Sequence, residues 1–189
     1  MTPPISKYLG ADGEDAIREL MQRDIELDAR QFLHALHNGD KALIDLFVRA
    51  NFDIDLKDEQ GTPAILIALK NGHTEIAQTL MNAGADINTS DKMWLTPLLV
   101  ACAKTTSGYE TLAEMLIIKG AFINVCDRLG NTPLLLALSG GTVKIAELLI
   151  QKGADVFAQT RSGETCLSLA EKTGNTNIVE LLLNKGAKW

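Results

Sequence analysis

The chain has 189 residues, 46% apolar and 5% aromatic, enough to bury the core of one ordinary domain or one short repeat array. Its 24 acidic and 18 basic side chains leave a net charge of -6 and a pI near 5.1, which disfavours direct contact with nucleic acid or an anionic membrane surface, since both need clustered Lys and Arg. No apolar run approaches the roughly 18 residues that span a bilayer, and Met1-Thr2-Pro3-Pro4-Ile5-Ser6-Lys7 lacks the apolar stretch of a secretory signal, so a cytoplasmic location is expected.

Residues 1–24 stand apart from the rest of the chain. Asp12 to Arg23 read as one amphipathic helix with Ile17, Leu20 and Met21 on one face. A cap over the next element is the favoured role, a docking tail the alternative.

From residue 25 the chain keeps one rhythm. A turn position is held by Gly61, Trp94, Gly130 and Gly163, at steps of 33, 36 and 33. Ala35, Ala68, Ala101, Ala137 and Ala170 follow the same spacing. So do Gly39, Gly72, Gly108, Gly141 and Gly174, then Asn51, Gly84, Gly120, Gly153 and Gly186. The units are residues 25–57, 58–90, 91–126, 127–159 and 160–189.

Each unit predicts a short helix, a glycine turn, a second helix and a hairpin. Thr96-Pro97 and Thr132-Pro133 open the short helix, Thr as N-cap and Pro in the first helical position. The glycines from 72 to 174 end it. The second helix carries apolar residues at helical spacing: Ile76, Leu80, Met81; Leu112, Met115, Leu116; Ile145, Leu148, Leu149; Ile178, Leu181, Leu182. Its closing Gly, or Asn51 once, suits a left-handed C-terminal residue. One such pair cannot cover its own apolar face, so neighbours must stack.

At these residues the chain resembles the ankyrin repeat family. Gly130-Asn131-Thr132-Pro133-Leu134-Leu135-Leu136-Ala137, with Gly141, Ile145, Leu148-Leu149 and Gly153-Ala154-Asp155-Val156, is similar to a full repeat, and Gly163 through Ala187 is another. The resemblance covers residues 25–189 and implies an all-α fold: a helix-turn-helix solenoid with short hairpins, about five repeats plus an N-terminal capping helix. Several positions depart from the family pattern. Asp28 and Arg30 replace Gly and Pro in a degenerate first repeat, and Cys166 replaces Pro in the last. Thr62-Pro63 comes one residue early, which predicts a shifted first turn. Leu99, Leu135 and Ser168 stand where the family has His, which removes a hydrogen bond and loosens those junctions. Asn184, Lys185 and Lys188 give the last helix the polar character of a cap, with Trp189 either folded back over it or disordered.

Chemistry-bearing residues are sparse. His34 and His37 share a helix face without a carboxylate or Cys at ligand spacing, and His73 matches a structural histidine of the family. Cys102, Cys126 and Cys166 read as reduced, mostly buried thiols. Asp53, Asp55, Asp86 and Asp155 recur as hairpin residues rather than as an acid–base pair. No phosphate loop, nucleophile elbow or metalloprotease motif occurs. The reading is a non-enzyme without catalytic, metal or cofactor residues, and with no cofactor.

The resemblance implies a protein partner on the concave side, against the hairpin tips and short helices. Two tips are unusual. Met93, Trp94 and Leu95 are three bulky apolar residues where turns favour Gly, Asn and Asp. Leu129, flanked by Arg128, is expected one repeat step away. Trp94 either faces solvent as an anchor or packs inward on the next hairpin. The extra three residues of the third unit, assigned to a longer turn through Lys104-Thr105-Thr106-Ser107, either mark a contact loop or are neutral. The candidate partner-binding residues are Met93, Trp94, Leu95, Tyr109, Arg128, Leu129 and Arg161. The expected function is a monomeric scaffold, adaptor or inhibitor. The alternatives are a transcription regulator acting through a protein partner without touching DNA, and homotypic assembly through a terminal repeat.

Overall fold

The computed structural model describes residues 11–188; the expectations for Met1 to Lys7 and for Trp189 fall outside them. The described residues form eleven helices and two isolated β-bridges, Lys57 with Pro63 and Gln159 with Thr165. The described residues divide into two compact units, one ending at Asp86 and one beginning at Ile87.

The first unit holds α1 (Ala11–Gln22), α2 (Ala29–Asn38), α3 (Lys41–Arg49), α4 (Ala64–Lys70) and α5 (Thr74–Asn82). Helix α1 packs on α3, while α2 meets α4 and α3 meets α5. The buried face of α1 is Gly13, Ala16 and Leu20. Ile17 is only half-buried and Met21 is exposed, so the contact stripe lies further round the helix than the large residues suggest. Gly13, Ala16 and Leu20 recur at helical spacing and set that stripe, and Met21 falls outside it. Below it, Phe32, Phe47 and Phe52 interlock with ring centroids 4.9–5.4 Å apart.

Helix α2 begins two residues before the register of the other short helices. Asp28 makes this possible by accepting the Gln31 N–H at 2.8 Å. Helix α4 starts in the register of its counterparts, so the expected shift at Thr62-Pro63 does not occur. Pro63 occupies the cap position and has no side-chain oxygen, so α4 lacks the cap bond. Burial holds this seven-residue helix instead: Ala64 through Leu69 are all inside the core. A buried Leu or Ile contributes about 1.5–3 kcal/mol, and four of them together outweigh the roughly 1 kcal/mol of a cap several times over.

The second unit holds α6 (Pro97–Cys102), α7 (Ser107–Ile118), α8 (Pro133–Ser139), α9 (Val143–Gln151), α10 (Cys166–Lys172) and α11 (Thr176–Asn184). The short helices pack in series, α6 on α8 on α10, and the longer ones likewise, α7 on α9 on α11. Thr96, Thr132 and Thr165 cap the short helices, with Pro97 and Pro133 in the first helical position as expected. The junction at Ser168 is not loosened. The Ser168 hydroxyl accepts the Thr165 N–H at 3.0 Å while Thr165 accepts the Ser168 N–H at 3.2 Å, a reciprocal capping box. Leu99 and Leu135 are fully buried and exchange the lost hydrogen bond for packing.

Asn51, Gly84, Gly120, Gly153 and Gly186 all take the left-handed conformation predicted for them. Gly108 does not end a helix. The third repeat's extra residues lengthen its outer helix: α7 has 12 residues against 9 in α5, α9 and α11. Gly108 and Tyr109 therefore lie inside the first turn of α7. Of the predicted core residues on the outer helices, Met115, Leu148 and Leu181 are only half-buried.

A second ladder ties consecutive hairpins. The side chains of Asp55, Asn88 and Asn124 accept the backbone N–H of Asp86, Phe122 and Asp155 at 2.8–2.9 Å. Phe157 holds the corresponding place one step later, and its ring lies over Gly186.

Candidate protein-interaction surface

The hairpin tips are built by one device. Asp91 accepts the N–H groups of Met93 and Leu95 at 2.8 and 3.0 Å. Asp127 does the same for Leu129 and Asn131 at 2.8 and 2.9 Å. The fourth turn residue then closes back on the first, Trp94 N–H on the Asp91 carbonyl and Gly130 N–H on that of Asp127. That residue must be left-handed. Gly61, Gly130 and Gly163 reach φ of 79–85° without strain; Trp94 sits at 62°. For a side chain with a Cβ this conformation costs about 1–2 kcal/mol.

Trp94 does not fold into the core. It is 55% exposed, beside Met93 at 53% and, one tip further, Leu129 at 65%. The Arg128 guanidinium lies over the Trp94 ring, 5.8 Å from its centroid, a cation–π contact worth about 0.5–1 kcal/mol at an exposed site. The Leu129 carbonyl accepts the Arg161 N–H at 2.9 Å, so the next tip is hooked to this one by backbone. The bond leaves the exposed Arg161 side chain outside it. A Cβ on Gly130 would come within 3.2 Å of that nitrogen, a tight contact added to a φ of 82° that already favours glycine.

Met93, Trp94, Arg128, Leu129 and Arg161 thus occupy consecutive exposed tips. Two other candidates do not join them. Leu95 is half-buried where the hairpin returns to α6. Tyr109 is 7% exposed, because lengthening α7 carries it into the helix and against the core. Sequence reading also overlooked exposed Ile118, Phe122 and Phe157. Phe122 stands in the register of Asp86 and Asp155, an apolar residue at a polar place, and that substitution was the available signal.

The remaining polar residues serve the fold. His73 Nε2 donates to the His37 carbonyl at 3.1 Å, so it links adjacent repeats. Its ring fills the space a Cβ on Gly39 would need, 2.6 Å away. Cys102 and Cys166 are buried, and burial pushes both thiols up to about 12. Cys126 is the exposed one of the three thiols, which are mostly buried as expected. Among the described residues no group of three His, Cys, Asp or Glu side chains could hold a metal, and no helix is long and apolar enough to cross a membrane.

Comparison with known proteins agrees with this geometry. A family profile described as ankyrin repeats (3 copies) matches residues 32–127 and 98–189. Over 71 residues the chain is 35% identical to the putative ankyrin repeat protein YahD of Escherichia coli, covering 38% of this chain and 35% of that one. It is 30% identical over 69 residues to an ankyrin repeat-containing protein of Treponema pallidum, covering 36% and 23%. A third stretch of 55 residues is 40% identical to ankyrin repeat domain-containing protein 29 of Danio rerio, covering 29% and 18%. The chain spans about a third or less of the length of these relatives. With repeated capped helix pairs, left-handed turns and a profile match over most of its length, the chain belongs to the ankyrin repeat family, whose repeats are in general protein–protein interaction modules and typically non-enzymatic.

Proposed function

We propose that this protein is a monomeric, non-catalytic scaffold, adaptor or inhibitor that holds one protein partner on the tips of its third to fifth repeats, in the cytoplasm. Residues 25–189 form the repeat domain in this reading, and residues 1–24 supply the helix that caps it. The observation that carries the proposal is Trp94. It keeps a strained left-handed turn that glycine makes freely at three other tips, and it presents a large ring to solvent. Strain retained at one place while relieved at its equivalents points to use of the side chain. Trp and Arg are also the residues that most often anchor interfaces, and they meet here.

The test is a double substitution, Trp94→Ala with Leu129→Ala, in the full chain. Capture of the native partner from lysate should fall by about tenfold or more, since such anchors carry about 2 kcal/mol or more each. Far-UV circular dichroism and the unfolding midpoint should change little, because both side chains are more than half exposed. Unchanged capture would place the site elsewhere.

A further inference from the structure

We propose that the segment held by these tips is acidic: a stretch of partner chain with two or more carboxylates beside one bulky apolar side chain. This deepens the reading of the tips as the binding site and rests on it.

The net charge of the chain hides an asymmetry. Residues 1–86 hold 15 acidic and 8 basic side chains, whereas residues 87–189 hold 9 acidic and 10 basic ones. Within the second unit the nine carboxylates divide by place, Glu171 lying on α10 and Asp155 in the hairpin after α9. Glu110, Glu114, Glu147 and Glu180 lie on the outer helices α7, α9 and α11. Asp91 and Asp127 belong to the tips, but their carboxylates turn inward, each accepting two backbone N–H groups. Asp91 is buried. Glu164 is paired with Lys172 at 2.6 Å. What the tips present outward is therefore Lys92, Arg128 and Arg161, all exposed. No carboxylate among the described residues forms an ion pair with any of them.

These cations share or adjoin the tips that carry Met93, Trp94 and Leu129. Arg128 lies over the Trp94 ring, a contact that biases its guanidinium toward these apolar side chains. A guanidinium grips a carboxylate through two parallel hydrogen bonds. A matching segment would seat its apolar side chain among Met93, Trp94 and Leu129, with flanking carboxylates on Arg128 and Arg161. A neutral or basic segment would leave these cations unmatched and set like charges together, which interfaces avoid.

The experiment pans a display library of short random peptides on the full chain. Enriched peptides are resynthesised, and their affinity is measured by fluorescence polarisation at about 0.05 M and about 0.3 M NaCl. The expected result is enrichment of acidic peptides containing Trp, Phe or Leu, with binding that weakens as salt rises. Arg128→Glu with Arg161→Glu should weaken it by about tenfold or more, and Arg128→Lys with Arg161→Lys should restore much of it. Circular dichroism checks that each variant is folded. Enrichment of peptides without net negative charge, no enrichment, or equal binding to the charge-reversed chain would overturn the proposal. Neutral peptides that lose binding on Trp94→Ala with Leu129→Ala would leave the site standing and remove only its acid preference. Acidic peptides indifferent to both pairs of substitutions would remove the site itself, and this inference with it.

Discussion

Backbone conformation at position 94 separates two roles of one residue. With the ring removed, the left-handed turn still penalises a Cβ, so Trp94→Gly should be more stable than Trp94→Ala by about 1 kcal/mol in urea unfolding. Equal stability would show that the turn relaxes once the ring is gone. Gly39 is constrained twice, by φ of 75° and by the His73 ring. Gly39→Ala should therefore cost about 2 kcal/mol or more, measured the same way. The buried thiols add a pH dependence. Cys102 and Cys166 rise from an ordinary value of 9.0 to about 12 in the folded chain. The unfolded chain then gives up these protons first. Their contribution to stability is complete below pH 9 and is lost as the pH climbs towards 12. The urea midpoint should fall over that window, and Cys102→Ala with Cys166→Ala should flatten the slope.

Each short helix has six or seven residues in the last four repeats, too few to persist alone. Caps and burial share the task of holding them, in proportions that differ from repeat to repeat. Thr132→Ala should cost about 1 kcal/mol by urea unfolding, the usual value of an N-cap. At α4, which has no cap to lose, the matching substitution Pro63→Ala should cost less. The same contrast explains what the sequence revealed. Caps, left-handed glycines and the repeat step are local, so Thr96, Thr132, Gly153 and Gly186 can be placed from residue types alone. The inward turn of Tyr109 and the outward turn of Met21 depend on where a helix begins and which of its faces the neighbour covers. The exposure of Trp94 is one of two alternatives the sequence leaves open, because a ring at a turn can pack either way until the adjacent tip is in place. Ser168 departs from expectation for a related reason: it cannot replace a histidine across a junction, but it can close a box within its own helix start.

At the scale of the whole molecule, charge and length are the informative quantities. Residues 1–86 concentrate the excess of acidic side chains. Their mutual repulsion is screened by salt. Raising NaCl from about 0.02 M to about 0.3 M should slow amide hydrogen exchange in α2 to α5 more than in α8 to α11. A uniform response would show that the charge pattern has no energetic weight. Length is handled less visibly. The third repeat is three residues longer than its neighbours, yet Gly120 keeps its left-handed turn and Phe122 still bonds to Asn88. The surplus is taken up as about 4.5 Å of added helix, at 1.5 Å per residue. The outer helix overhangs at its start while its far end stays level with its successors. Spacing counted along the chain and spacing measured in space can thus part company within one repeat. Grafting one further turn onto the beginning of α5 or α9 would extend that rim alone, a route to a broader platform that leaves every hairpin in step.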